Sequence, residues 1–174
     1  MEIEIRKLEK RDNRANFSSG NIEIDRFFIK YAGQNQFKHK IGVTYIAVEV
    51  KTQKIIAYAT VSSSSLSINE LDIPEYKKLP NYPLPILRIA RLGVDKMYQD
   101  RGIGKMLLKK MLYLSLELEK LAGCLGVFVD AKDSAVDFYK KYGFEIVPVK
   151  KGELPTKPTP KLMYLSLKNI KRAL

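Results

Sequence analysis

Hydrophobic and polar positions follow two rhythms along this chain, one of period 2 and one of period ~3.6, and the switches between them mark out its elements. Met1-Glu2-Ile3-Glu4-Ile5-Arg6 alternates charge with isoleucine, so residues 2–9 read as a first strand. Phe17-Ser18-Ser19-Gly20-Asn21 reads as a turn whose polar side chains can cap the helix after it. In that helix Ile24, Phe27, Phe28 and Tyr31 fall at helical spacing, and residues 32–40 read as a short second helix or its tail. Val43-Thr44-Tyr45-Ile46-Ala47-Val48-Glu49-Val50 is rich in β-branched residues and predicts a strand. Lys51-Thr52-Gln53-Lys54 is the turn that joins it to a partner strand over 55–66.

Residues 67–85 carry Pro74, Pro80, Pro83 and Pro85, an irregular loop long enough to serve as a substrate wall. Residues 86–94 predict an apolar strand interrupted by Arg88 and Arg91. Residues 102–121 predict a long helix with Ile103, Leu107, Leu114, Leu118 and Leu121 on its core stripe. A buried strand over 126–131, a helix over 134–142 and two last strands over 144–149 and 161–167 complete the chain, with Pro155, Pro158 and Pro160 between the last two. This order predicts an α/β (α+β) fold with a mixed, mostly antiparallel sheet flanked by helices, in a single domain over residues 1–174.

A chain of 174 residues supports one core. Its 45 % hydrophobic and 29 % charged content is that of a soluble globular protein. No apolar run approaches the roughly 20 residues of a membrane helix, and the alternating N-terminus reads as a strand and not as a signal peptide. With a single cysteine, the expectation is a cytoplasmic protein without disulfides or membrane contact. Metal chemistry is expected to be absent, because one histidine and one cysteine supply no zinc cluster. His39, between Lys38 and Lys40, reads as a surface residue, and Cys124, in an apolar stretch, as a small core residue. Lysine and arginine number 31 against 19 acidic residues, a net charge of +12. Alone, that charge favours a well-solvated, lysine-rich surface; beside a motif it becomes the footprint of a polyanion.

The informative segment is Leu87-Arg88-Ile89-Ala90-Arg91-Leu92-Gly93-Val94-Asp95-Lys96-Met97-Tyr98-Gln99-Asp100-Arg101-Gly102-Ile103-Gly104-Lys105. It runs strand, turn, glycine loop, helix. Such a loop aims backbone N–H groups and the positive end of a helix dipole at one spot, which suits a pyrophosphate. Gly102 and Gly104 allow a close approach of the backbone. The Gly-Lys-Ser/Thr of a Walker loop is missing, and the third glycine of the dinucleotide fingerprint is misplaced. By itself Gly-x-Gly is as readily a bare strand-to-helix turn as a ligand site.

Gln99-x-x-Gly102-x-Gly104 after an apolar strand resembles the coenzyme A motif of the GNAT acetyltransferases. Val127-Phe128-Val129-Asp130-Ala131, followed by Ala135-x-x-Phe138-Tyr139-x-x-x-Gly143-Phe144, is similar to that family's second cofactor element. The resemblance implies acetyl-CoA as co-substrate. Leu92, Gly93 and Val94 would pair their backbone with the pantetheine arm. Gln99, Asp100, Arg101, Gly102, Ile103, Gly104 and Lys105 would hold the pyrophosphate, with Ser134 a further contact. Tyr139 would protonate the departing thiolate. A thiol and a phenol have pKa values near ~8.5 and ~10, so a neutral phenol can serve as that acid at neutral pH. Without the motif, Tyr139 would read as a half-buried aromatic of an amphipathic helix, and Tyr142 is a weaker rival for the role.

Residues 17–28 and Tyr31-Ala32-Gly33-Gln34-Asn35-Gln36-Phe37 extend the likeness over nearly the whole chain. They resemble the N-terminal region of the TacT-like and AtaT-like GNAT toxins of bacterial toxin–antitoxin modules. Gly93 stands where these toxins usually carry alanine, and Ser18-Ser19 where an acidic and a small residue are usual. The resemblance implies acetylation of the α-amine of aminoacyl-tRNA, a ribbon–helix–helix antitoxin as partner, and room for a homodimer. Lys30, Lys38, Lys40, Arg88 and Arg91 are then candidate tRNA contacts as a group, although each singly reads as a solvated charge. Two other readings stand beside this one. The first is a GNAT enzyme acting on a small-molecule or protein amine. The second is a basic nucleic-acid-binding module without activity, which would need a damaged cofactor loop.

Overall fold

The computed structural model describes residues 1–67, 69, 71–148 and 161–174. It divides into two compact units, Met1–Ser62 with Ile89–Met111, and Ser63–Arg88 with Leu112–Leu174.

In the first unit β1 (Ile3–Lys7) lies antiparallel to β2 (Val43–Glu49), with Ile3 opposite Glu49 and Lys7 opposite Tyr45. β2 lies antiparallel to β3 (Lys54–Leu66), and the register shifts between Ala47 and Val48. The hairpin turns at Gln53, whose φ is 57°. The second half of β4 (Leu84–Val94) follows β3 in the strand order. Ile46, Val48, Ile55 and Tyr58 of these strands bury against Leu8, Phe17, Phe28 and Ala32. Two polar devices lie in this apolar unit. Opposite hydroxyls Thr44 and Thr60 meet at 2.7 Å, so neither is left unpaired in the core. The Gln36 amide accepts from the Thr44 N–H at 2.8 Å and donates to the Leu8 carbonyl at 2.9 Å.

The helical segment of this unit starts where the polar turn predicts. The Asn21 side chain accepts from the N–H groups of Glu23 and Ile24 at 3.0 and 3.2 Å, capping α1 (Ile22–Arg26). The segment then departs from a 3.6-residue helix. Phe27–Tyr31 and Gln34–Lys38 are wide π-helical turns, the second closed from His39 N–H to the Gln34 carbonyl at 2.9 Å. The first wide turn rotates the buried stripe, so Phe28 and Ala32 bury while Tyr31 turns outward at 47 % exposure, against the expected helical spacing.

α2 (Ile103–Ala122) begins in the first unit and ends in the second. Its buried residues are Ile103, Leu107, Leu108, Met111, Leu112 and Ser115. Leu121, expected in the core, is 85 % exposed, and Leu114 and Leu118 are only half-buried. The helix is so rich in leucine that two adjacent stripes compete in the sequence, and packing selects the one through Leu108 and Met111.

In the second unit the first half of β4 is followed by β5 (Gly126–Ala131), β7 (Lys161–Ser166) and β6 (Glu145–Ile146) in spatial order. β5 and β7 are antiparallel from Gly126 opposite Ser166 to Ala131 opposite Lys161. Gly126 is a glycine because a Cβ there would meet the Leu165 carbonyl oxygen, with Ser166 Cα only 3.1 Å away. α3 (Asp133–Lys141) follows β5, as expected. Ser166 caps α4 (Leu167–Ala173), a helix the strand pattern did not announce. The expected strand over 144–149 shrinks to β6, and Val149 with the Pro155, Pro158 and Pro160 loop lies outside the described residues. Within the 67–85 loop, Ile73 and Tyr76 bury against Ile86, Phe128, Val147 and Tyr164, so this part of the expected substrate wall is core.

Candidate active site

β4 ends in a braced loop inside the first unit. The Asp95 N–H donates to the Ile56 carbonyl at 2.8 Å, the last rung of the strand. The Asp95 carboxylate, only 3 % exposed, accepts from the Met97 N–H at 3.0 Å and so caps a 3₁₀ turn over Lys96–Tyr98. Lys54 Nζ reaches the same carboxylate at 3.4 Å and lies 4.9 Å from the centre of the Tyr98 ring. Arg101 also stacks on Tyr98, at 5.4 Å. The loop is tied to the N-terminal turn as well. Gln99 Nε2 donates to the carbonyls of Ser19 and Val94 at 2.7 and 3.0 Å, and the Lys96 N–H donates to the Ser18 carbonyl at 2.8 Å.

Asp100 and Gly102 then take left-handed conformations, φ 60° and 79°, which turn the chain into α2. A Cβ on Gly102 would meet nothing within 4 Å, so the approach to this backbone is open. The first rung of α2 runs from Met106 N–H to the Gly102 carbonyl at 3.1 Å, and the N–H groups ahead of it precede the helix's own ladder. Arg101 and Lys105 are exposed cations at this end, and Asp100 is an exposed carboxylate in the same loop. The arrangement fits a pyrophosphate: donors, a helix dipole and positive side chains converge on open backbone. Two of the residues read from the motif contribute differently than their type suggests. The Gln99 amide is taken up by two carbonyls, and the Ile103 side chain is 1 % exposed, so only its backbone can face a ligand. Leu92 and Val94 are half-buried, and Gly93 is buried.

Gly93 has a packing reason of its own. A Cβ there would collide with Ile24 Cγ2 and stand 3.2 Å from Tyr58 Cε1. α1 therefore sits on β4 one methyl closer than an alanine would permit. The Tyr58 hydroxyl donates to the Ile24 carbonyl at 2.7 Å, fixing that approach.

In the second unit Tyr139 lies on α3 and is 4 % exposed. Phe138 and Phe144 meet its ring edge-on at 5.1 and 5.3 Å. Its carbonyl accepts from the N–H groups of Tyr142 and Phe144, and Gly143 turns the chain there with φ 92°. Burial pushes the phenol well above its ordinary pKa. Such a phenol stays protonated across the neutral range, as a general acid must. Ser134 is exposed near the start of α3, whose N-cap Lys132 makes no side-chain cap hydrogen bond.

The five basic candidates differ in setting. Lys30, Lys38 and Lys40 are exposed along the helical segment of the first unit, Lys40 with φ 57°. Arg91 is exposed, donates from Nη1 to the Ala90 carbonyl at 2.7 Å and lies 5.2 Å over the Phe27 ring. Arg88, in the second unit, is committed to Asp130 at 2.8 Å, and its Nε is buried without a partner. It is an internal ion pair of neighbouring strands more than a solvated docking charge.

Residues 40–146 match the acetyltransferase (GNAT) domain family, well over half of the chain. The chain belongs to the GNAT acetyltransferase family. The GNAT chain is 27 % identical over 144 residues to a tRNA-acetylating toxin of Mycobacterium tuberculosis, covering 82 % of this chain and 84 % of that protein. Its structure superposes on a crystal structure of a KacT tyrosine-to-phenylalanine mutant with a TM-score of 0.86 and 22 % identity, over 100 % of both chains. It superposes on AtaT complexed with acetyl-methionyl-tRNAfMet with a TM-score of 0.83 and 21 % identity, over 98 % of both. A mutant AtaT bound to acetyl-CoA and the C-terminus of the antitoxin AtaR shares the fold at a TM-score of 0.78 and 18 % identity, over 98 % of this chain and 96 % of that one. These likenesses establish the GNAT fold, a mixed sheet flanked by helices.

The glycine motif leaves out two parts of this candidate site: the Asp95–Lys54–Tyr98 brace and the aromatic stack beneath Arg91. A carboxylate placed directly after an apolar strand, two residues before an N–H it can cap, was the available signal for the first. The second has no local signal, because Phe27, Tyr58 and Arg91 meet only through the fold. Among the described residues no group of His, Cys, Asp or Glu could hold a metal ion, and no helix is long and apolar enough to cross a membrane.

Proposed function

We propose that this protein transfers the acetyl group of acetyl-CoA to the α-amine of an amino acid esterified to tRNA, acting in the cytoplasm as the toxin of a toxin–antitoxin pair. The observation that carries the reading is the likeness over nearly the full chain to AtaT complexed with acetyl-methionyl-tRNAfMet, joined by the match to a tRNA-acetylating toxin over 82 % of the sequence. The net charge of +12 suits a polyanionic substrate. A ribbon–helix–helix antitoxin and a homodimer belong to the same reading, and residues 1–174 would act as one domain.

Each residue then has a task. The backbone of Leu92, Gly93 and Val94 holds the pantetheine arm as an added strand. Residues 99–105 hold the pyrophosphate through N–H groups and the cations Arg101 and Lys105, with Ser134 beside the cofactor. Bound acetyl-CoA supplies the thioester whose carbonyl the neutral amine attacks. As the carbon–sulfur bond breaks, Tyr139 gives its hydroxyl proton to the departing sulfur; the amine loses its proton to solvent, and Tyr139 is reprotonated from solvent. An aminoacyl ester has a less basic amine than lysine, so this chemistry needs no strong catalytic base. A small-amine or protein-amine acceptor is less well matched by so basic a chain, and an inactive binding module by so intact a cofactor loop.

The test is incubation with labelled acetyl-CoA and, in parallel, charged tRNA, deacylated tRNA, free amino acids and peptides. Label is expected on charged tRNA alone. Label on peptides or small amines, with none on charged tRNA, overturns the proposal.

A further inference from the structure

Arg91 is an exposed cation of the first unit that is held in place by a built support. Its guanidinium lies 5.2 Å over the Phe27 ring and gives one of its about five N–H donors to the Ala90 carbonyl at 2.7 Å. Phe27 is itself held. It stacks on Tyr58 at 6.4 Å and 15°, and Tyr58 stacks on Phe28 at 4.3 Å and 11°. Phe17 closes the stack edge-on against Tyr58 at 5.4 Å, and the Tyr58 hydroxyl is bonded to the Ile24 carbonyl. Tyr58 and Phe28 are fully buried, so the column under the guanidinium cannot turn aside. Among the described residues no carboxylate pairs with Arg91, whereas Arg6 and Arg88 each have one within 2.8 Å. A positioned arginine fork with no internal counter-ion is set up to take an anion from outside.

Its place in the chain says which anion. Arg91 directly precedes Leu92, Gly93 and Val94, and a strand advances only ~3.3 Å per residue. An anion docked on Arg91 is therefore close to the backbone read as the thioester-bearing strand. An aminoacyl-tRNA carries its first phosphodiester one ribose away from the esterified amino acid. Resting on the function proposed above, we infer that Arg91 clamps this terminal phosphodiester of the acceptor and that Phe27 is its positioning residue. Lys30, Lys38 and Lys40 then supply diffuse attraction, while Arg91 sets the register of the 3′ end.

The experiment compares two minimal acceptors, an aminoacyl ester of adenosine and the same ester of cytidylyl-adenosine, which adds one phosphodiester. Wild-type protein is expected to show a KM about tenfold to a hundredfold lower for the dinucleotide, the range of a hydrogen-bonded charge contact. Arg91→Ala should abolish that preference while acetyl-CoA affinity holds. Arg91→Lys should restore only part of it, because an ammonium has no planar fork. Phe27→Leu should weaken it severalfold with the charge unchanged, and Phe27→Tyr should restore it. A preference that survives Arg91→Ala, or a wild type that acetylates both esters with equal KM, overturns the inference. If neither ester nor charged tRNA is acetylated but peptides are, the function proposed above fails instead. Because Arg91 is exposed, its variants keep the test valid even if Phe27→Leu does not fold.

Discussion

At the scale of single residues, burial decides what Tyr139 can do. The phenol is raised in pKa by desolvation, so it keeps its proton across the neutral range and is not available as a base there. Tyr139→Phe removes only the hydroxyl from a packed ring. Turnover is expected to fall about 10²–10⁴-fold with acetyl-CoA affinity and thermal midpoint unchanged; a variant within twofold of wild type would give the acid role to another group. Asp12 makes a second prediction. Its carboxylate receives both Arg6 N–H donors at 2.8 Å and the Glu9 N–H at 2.7 Å, and the Arg6 hydrogen bonds hold it below the usual carboxylate range. A group depressed on folding stabilises above its unfolded pKa of 3.8 and loses that contribution as pH falls through the folded value. Asp12→Asn should therefore lower stability at pH 7 by about 1–3 kcal/mol, and the gap to wild type should narrow in acid. Urea unfolding at neutral pH and near pH 3 reads this directly, and a gap that stays constant between the two would show that the ionised carboxylate is not responsible.

At the scale of elements, the sequence was most legible where one rhythm ran unbroken. The hairpin over 43–66, β5 and α3 fall where their patterns predict, and Asn21 caps α1 as the polar turn announces. Legibility failed where geometry beyond the local chain decides. The π-helical turn at Phe27 shifts Tyr31 outward, and nothing in the spacing of apolar residues reports a wide turn. The glycine loop was readable as a motif, but its brace was not, since Gln99 reaches a carbonyl 80 positions away. Gly93 looked like a mild departure from the toxin pattern and proves to be a packing requirement of α1 on β4. Gly93→Ala should destabilise the protein by about 1–3 kcal/mol through overpacking. Trimming the opposing side chain with Ile24→Ala should recover part of that loss, so the two changes together fall short of their sum. Strictly additive thermal midpoints would mean the methyl is accommodated elsewhere.

At the scale of the whole molecule, charge and connectivity matter more than any one contact. With 31 basic and 19 acidic residues, binding to charged tRNA should weaken steeply with salt, because each phosphate neutralised by lysine or arginine releases counter-ions. At the site proposed for it, acetyl-CoA would meet only the patch around Arg101 and Lys105. The expected result is a steep slope of log KM against log salt for charged tRNA and a shallow one for acetyl-CoA; equal slopes would place the basic surface outside substrate recognition. The tie between Gln99 and Ser19 has a further consequence, for synthesis and for fragments. A nascent chain grows from its N-terminus, so the carbonyls of Ser18 and Ser19 leave the ribosome long before the loop they will hold. The loop finds its brace already waiting. A fragment that starts after Ser19 has the reverse fate: it keeps every glycine of the motif and loses the frame that shapes them, and no later segment of the chain can substitute.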